Sequence, residues 1–311
     1  MHNLLDLFLQ SRKTREVFRC CQSIRDSFLD LGQSARAVAF LFAVLSVFAA
    51  SALAQGPPAI RLANISTRLA VGTGSNVLIG GFIITGSQPK KVMLRGLGPS
   101  LPVIANLADP VLELHDSSST LAVTDNWRDT QQDELRATTI QPRNDHESAL
   151  VKVLNPGAYT VILSGKGGTT GVGLVEVYDL DGSVDSKLAN IATRGFVDTG
   201  DNVLIGGTIV VGSGTTTVLF RAIGPSLISV LPNALRDTTL ELHDQQGGLI
   251  AANDNWQDNT NAADILATKI APSDPREAAI LRELSPGNYT AIVRGKDNST
   301  GVGLIEAYQI K

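Results

Sequence analysis

LELHDSSSTLAVTDNW, Leu112–Trp127, returns later in the chain as LELHDQQGGLIAANDNW, Leu240–Trp256. Each copy reads as a strand, a polar hairpin tip, a second strand and an acidic Asp-Asn-Trp corner. Each holds one of the chain's two Trp residues.

The match extends in both directions. LANISTR (Leu62–Arg68) pairs with LANIATR (Leu188–Arg194), NVLIGG (Asn76–Gly81) with Asn202–Gly207, and GPSL (Gly98–Leu101) with Gly224–Leu227. Downstream, PGAYTVILSGK (Pro156–Lys166) pairs with PGNYTAIVRGK (Pro286–Lys296), and TGVGLVEVY (Thr170–Tyr178) with TGVGLIEAY (Thr300–Tyr308). Leu62–Leu180 and Leu188–Ile310 are therefore two copies of one unit, too long for a solenoid repeat. The expected domains are residues 61–180 and 188–311, each a body in its own right, joined by the linker 181–187.

Within a copy, about eight short strands alternate with Gly, Pro, Asn and Asp turns. In the first they are Leu62–Val71, Val77–Thr85, Lys91–Leu97, Val111–His115, Leu121–Thr124, Ala149–Leu154, Tyr159–Ser164 and Val172–Tyr178. Val77–Thr85 is an unbroken apolar run, which predicts a strand covered on both faces. Gln131–Thr138 and its mirror Asn261–Thr268 are the only helical candidates. No βαβ alternation occurs. The expected class is all-β, two tandem antiparallel sandwiches of jelly-roll type.

Ahead of the repeats, Ala37–Leu53 is an apolar run behind Arg25 and Arg36, ending in Ala52-Leu53-Ala54. Residues 1–54 read as a secretory signal peptide with a long polar leader, cleaved before Gln55. The competing reading is an uncleaved membrane anchor, since the run just reaches spanning length. The expected location is outside the bacterial cytoplasm: periplasmic, cell-surface or secreted, with no membrane segment in the mature form. Cys20 and Cys21 precede the run, so the mature chain carries no thiol or disulfide. Removing residues 1–54 takes away 6 Lys/Arg and 4 Asp/Glu and leaves 20 against 26, a net charge of −6. With no basic cluster, nucleic acid is not an expected partner.

Catalytic patterns are missing. GPSL is not a nucleophile elbow, and the glycine pairs lack phosphate-loop spacing. His115 and His243 alternate with leucines and have no second His nearby, which argues against zinc. Three sets of residues remain. Asp125, Asn126 and Asp129, with Asp254, Asn255 and Asp258, are close enough to share calcium, although they supply three side chains where calcium takes six to eight oxygens. Capping of turns by the same side chains is the competing reading. Trp127 and Trp256 are candidate sugar-stacking platforms, against an end-plug of the core. Arg95 and Arg221, and Glu176 and Glu306, lie on otherwise apolar strand faces. A lone buried charge is costly, so the expected pairs are Arg95–Glu176 and Arg221–Glu306, with Glu113 and Glu241 as fallback partners.

The order L-E-L-H-D, D-N-W, L-x-P-G-x-Y-T, T-G-V-G-L-x-E-x-Y resembles the bacterial pre-peptidase C-terminal domain. The matching stretches are Leu112–Asp116, Asp125–Trp127, Leu154–Lys166 and Thr170–Tyr178 with their counterparts, about two-thirds of each repeat. NVLIGG and GPSL have no equivalent in that domain, and no peptidase precedes the modules. The resemblance implies a non-catalytic β-sandwich of exported proteins, sometimes calcium-stabilised and sometimes ligand-binding. The functional expectation is an exported module binding polysaccharide or a surface protein, with no required cofactor. A matrix-assembly component and a secreted hydrolase are the alternatives.

Overall fold

A computed structural model describes residues 59–310. The signal segment and its cleavage lie outside the described residues. The first copy forms β1 (Arg61–Val71), β2 (Leu78–Thr85), β3 (Lys90–Leu97), β4 (Pro110–His115), β5 (Thr120–Thr124), a short helix α1 (Gln132–Ala137), β6 (Ser148–Leu154), β7 (Gly157–Gly165) and β8 (Gly171–Asp179). In the second copy are β9 (Lys187–Val197), β10 (Leu204–Val211), β11 (Thr216–Ile223), β12 (Thr238–His243), β13 (Leu249–Asn253), α2 (Ala262–Ala267), β14 (Ala278–Leu284), β15 (Gly287–Gly295) and β16 (Gly301–Gln309). All strand pairs in the two sheets are antiparallel, and the class is an all-β two-sheet sandwich.

The copies do not form separate bodies. One sheet runs β13-β12-β15-β10-β1-β8-β3-β6 and the other β14-β11-β16-β9-β2-β7-β4-β5. Each copy gives four strands to each sheet, and the described residues form one compact unit. The reason is strand-edge chemistry. Within its own copy β1 pairs only with β8, and β2 only with β7. Their free edges are taken by β10 and β9 of the other copy. The segment 181–187 is a crossing between two sheets of one sandwich, and Lys187 already belongs to β9.

This exchange sets a pseudo-two-fold axis between the sheets, along the strand direction. Thr67 and Thr193 hold equivalent places in β1 and β9, and their buried hydroxyls share a hydrogen bond of 2.8 Å. Around it one apolar core runs through both copies, from Leu112 and Phe82 in the first to Leu240 and Phe220 in the second. Burying each such side chain contributes roughly 1.5–3 kcal/mol.

Strand β2 is covered on one face only. Leu78, Phe82 and Ile84 point inward, while Ile83 is 37% exposed on the other side. Double coverage falls instead on β3 and β11. Met93 on the outer face of β3 packs with Trp127, Leu135 of α1, Ala149 and Val151, and Leu219 of β11 packs with Trp256, Ile265 and Ala279. The Asp-Asn-Trp corner and the helix after it therefore form a second layer over each end of the sandwich.

The outer edges are blunted by side chains. Gln131 donates to the Val151 carbonyl and accepts from its N–H, both at 3.0 Å, standing in for a neighbouring strand along β6. Asn253 accepts from Ala279 N–H at 2.9 Å and Asn261 donates to the Leu281 carbonyl at 3.1 Å, doing the same for β14. Capped edges resist pairing with another chain. Among the described residues no helix is long and apolar enough to cross a membrane.

Continuous sheets predict one cooperative unfolding transition. In Trp127→Phe, urea unfolding followed by Trp256 fluorescence, which reports the second copy, should superimpose on unfolding followed by far-ultraviolet circular dichroism. Two separated midpoints would mean that the copies fold independently.

Candidate functional site

The residues that carry charge into the core are the first to place. Cross-strand register sets Arg95 opposite Glu176 and Arg221 opposite Glu306. Arg95 Nε donates to Glu176 at 2.7 Å, Nη1 to the Ile140 carbonyl at 2.5 Å and Nη2 to the Tyr178 hydroxyl at 2.9 Å. Tyr178 in turn donates to Glu176 at 3.0 Å. Arg221 repeats this with Glu306 at 2.8 Å, the Ile270 carbonyl and Tyr308. Each nitrogen of the fork meets at least one acceptor, which is the condition for keeping such a pair. Burial, with Glu306 beside it, pushes the Tyr308 hydroxyl up to about 12, and burial beside Glu176 raises Tyr178 in the same direction.

Glu147 and Glu277 escaped the sequence reading. Both are fully buried. Glu147 Oε1 accepts from Gly98 N–H at 3.1 Å, Ser100 N–H at 2.9 Å and Ser100 Oγ at 2.5 Å. Glu277 takes the same three bonds from Gly224 and Ser226. The repeated GPSL is thus a turn latched by a buried carboxylate. The available signal was Glu147 recurring as Glu277 at matched positions. The Pro-Gly-x-Tyr pattern has a similar cause: Tyr159 and Tyr289 each donate to a carbonyl four residues back, Asn155 at 2.8 Å and Ser285 at 2.9 Å.

The acidic corners are tied to neighbouring side chains. Asp125 is turned to Lys166 Nζ at 2.5 Å, whereas Asn126 donates its amide N–H to Asp129 at 3.2 Å. Asp254 meets Lys296 at 2.6 Å, and Asn255 donates to Asp258 at 3.1 Å. An ammonium takes one oxygen of Asp125 and of Asp254 and an amide nitrogen faces Asp129 and Asp258, while Asp125 Oδ1, Asn126 Oδ1 and Asp254 Oδ1 are buried without a hydrogen-bond partner. Hydrogen bonding to Asp125 and Asp254 raises Lys166 and Lys296 above the usual lysine range. Among the described residues no group of three or more His, Cys, Asp or Glu converges as a metal site does.

The tryptophans are not platforms. Trp127 and Trp256 are 3% and 7% exposed. Trp127 donates Nε1–H to the Asn144 carbonyl at 3.2 Å, and Arg128 covers its ring at 4.9 Å. Both plug the outer layer over β3 and β11. His115 and His243 sit beside Glu113 and Glu241, at 2.9 and 3.2 Å.

What the structure does bring together lies at the end of the pseudo-two-fold axis. There β1 and β9 finish side by side, and two matching turns follow, Gly72-Thr73-Gly74-Ser75-Asn76 and Asp198-Thr199-Gly200-Asp201-Asn202. The N–H of Gly72 donates to the Asn76 carbonyl at 2.8 Å, and that of Asp198 to Asn202 at 2.9 Å. Gly74 and Gly200 adopt φ of 61° and 64°, a left-handed conformation that glycine takes without penalty. These turns bring Asn76 and Asn202 to the rim of a cleft of about 550 Å³. Val71, Val172, Ile104 and Ala105 line its first-copy side, and Phe196, Asp198 and Asn233 its second-copy side.

A smaller hollow of about 70 Å³ adjoins the cleft, sharing Asn76, Phe196 and Asn233 with it and lined also by Val77, Gly195, Leu231 and Val302. The two copies differ in sequence here. Leu69-Ala70 of the first copy stands where the second has Gly195-Phe196. Ala105 and Asn233 also match, since each carbonyl accepts from the valine that follows the Thr-Gly pair, Val172 or Val302. Ala70 and Phe196, at equivalent places in the two copies, both line the wide cleft. Ala105 holds φ of 57°, a conformation that costs a non-glycine residue about 1–2 kcal/mol, and the strain lies on the cleft wall.

Two outcomes follow. Glu147→Ala leaves Gly98 N–H, Ser100 N–H and the Ser100 hydroxyl without their acceptor and should lower unfolding free energy in urea by about 3 kcal/mol or more. A loss below about 0.5 kcal/mol would remove the latch from the account. The second concerns alkali. Unfolded tyrosines ionise near pH 10, whereas folded Tyr178 and Tyr308 keep their protons to higher pH. Stability from this source is whole below about pH 10 and is lost as pH rises through about 12. Tyr178→Phe/Tyr308→Phe should therefore lose stability less steeply above pH 10 than the parent, and parallel curves would contradict it.

No protein-family model matches the chain, and no curated protein sequence does.

Proposed function

We propose that this is an exported, non-catalytic binding protein whose ligand site is the wide cleft where the two copies meet. The observation that carries the reading is a cleft of about 550 Å³ lined by residues of both copies where β1 and β9 end. That size is typical of ligand sites, which favour junctions between repeated units.

The lining supports binding over turnover. Asp198 is the one carboxylate among the residues of the wide cleft, in company with amides and apolar groups. General acid–base catalysis at a carbonyl or glycosidic centre uses two positioned titratable groups. The secretory leader and the resemblance to pre-peptidase C-terminal modules support export and a non-catalytic role. Polysaccharide and surface protein are the two ligand classes for such a site.

The test is binding without turnover. The processed protein should bind saturably to at least one member of a panel of immobilised bacterial surface polysaccharides and outer-surface proteins. The bound material should be recovered chemically unchanged. Release of shortened chains or new reducing ends would make it a hydrolase, and no binding to either panel would end the proposal.

A further inference from the structure

We infer that the wide cleft takes a neutral sugar residue, as the end or a side group of a glycan. The inference rests on the binding function proposed above and names its ligand class.

The polar groups of the cleft decide the chemistry. Asn76, Asn202 and Asn233 line it from three loops and are exposed, so their amides are accessible to a ligand. An amide head carries a donor pair and an acceptor, which matches a vicinal diol that gives and takes hydrogen bonds at adjacent atoms. Asp198 has one oxygen committed to Thr199 N–H at 2.8 Å and a second left to accept a hydroxyl. In the same lining, Phe196 is 41% exposed and Ile104 is 96% exposed. A pyranose has this same division: hydroxyls round its edge and an apolar C–H face that packs on an aromatic ring.

Other ligand classes fit less well. No lysine, arginine or histidine lines the wide cleft, while Asp198 does, so an anionic ligand would meet a like charge and no counter-charge. A wholly apolar ligand would cover three amides and leave them unpaired, which carries the desolvation penalty of buried polar groups. A protein side chain could enter, but three amides converging on one concave space exceed what a single apolar anchor recognises. Phe196 takes its place through the copy asymmetry, since the equivalent first-copy residue is Ala70, which leaves the space in front of the ring open.

The experiment uses the full processed chain with neutral gluco-, manno- and galacto-oligosaccharides and acidic oligogalacturonate, by titration calorimetry and saturation-transfer NMR. At least one neutral oligosaccharide should bind, with oligogalacturonate weaker by about tenfold or more. Phe196→Ala should weaken that binding about tenfold, in line with loss of an aromatic contact. Ala70→Phe, which places in the first copy the side chain the second already has, should abolish it with an unchanged melting temperature. Lys166→Ala, away from the cleft, should leave affinity unaltered. Neutral-sugar binding that survives Ala70→Phe would overturn the site, and preference for oligogalacturonate would overturn the ligand class. A protein ligand blocked by Ala70→Phe, with no sugar bound, would overturn this inference while leaving the proposed binding function standing.

Discussion

Two open strand edges govern this molecule. β1 and β2 each pair on one side within their own copy, and a strand of 8 to 11 residues left half-paired exposes a ladder of unsatisfied amides and carbonyls. Duplication supplies the complement. β9 and β10 carry the same two free edges, and the copies close on one another as β1–β10 and β9–β2. Thr67 and Thr193 then meet at the axis. A single core, two continuous sheets and a junction at the strand ends all follow from that closure. The arrangement has the geometry of an isologous dimer written into one chain.

The strands themselves were legible because alternation and turn chemistry are local. Val111–His115 and Leu121–Thr124, set either side of the polar tip, describe β4 and β5 to within a residue, and Pro156-Gly157 marks where β6 turns into β7. Arg95 and Glu176 could be paired from the sequence because each interrupts an apolar face, and register then puts them opposite each other. What alternation does not encode is which strand lies beside which. Nothing in LANISTR says that its second neighbour is β10 of the other copy, so two separate sandwiches were the natural reading. Val77–Thr85 misled for a related reason: Ile79 and Ile83 are apolar yet lie on an open face, because α1 covers β3 instead. The cleft was invisible because its walls come from residues over a hundred positions apart, joined only by the swap of edges.

The buried polar groups share one logic. Each ties a loop to a strand end that the apolar core alone leaves loosely placed. Glu147 latches the GPS turn above β3, and Arg95 reaches through its ion pair to the Ile140 carbonyl behind α1. Lys90, fully buried, bonds Asp179 at 3.1 Å and the Asp181 carbonyl at 2.6 Å. The equivalent pair in the second copy is neutral, Gln309 donating to Thr216 at 3.0 Å. The difference matches position in the chain. Only the first copy must lead its last strand across to the other sheet, and the charged pair stands at that crossing. Apolar groups of similar size would fill the space with less desolvation, but would not fix where the crossing begins.

Departures from symmetry are therefore informative wherever they are not required by connectivity. Near the axis most residues are matched: Thr67 with Thr193, Asn76 with Asn202, Val71 with Val197. Leu69-Ala70 against Gly195-Phe196 breaks the match reciprocally. A Cβ on Gly195 would fall 2.4 Å from Leu69 Cδ1, so the leucine of one copy occupies space the glycine of the other gives up. Total volume at the axis is kept while its distribution shifts, which costs a packed core little. A true homodimer could not make that trade, because any change would appear on both sides of the axis. Covalent duplication removes the restriction. It lets Ala70 and Phe196 hold equivalent places in one cleft across the axis, which so gains an aromatic side chain from one copy and a small one from the other.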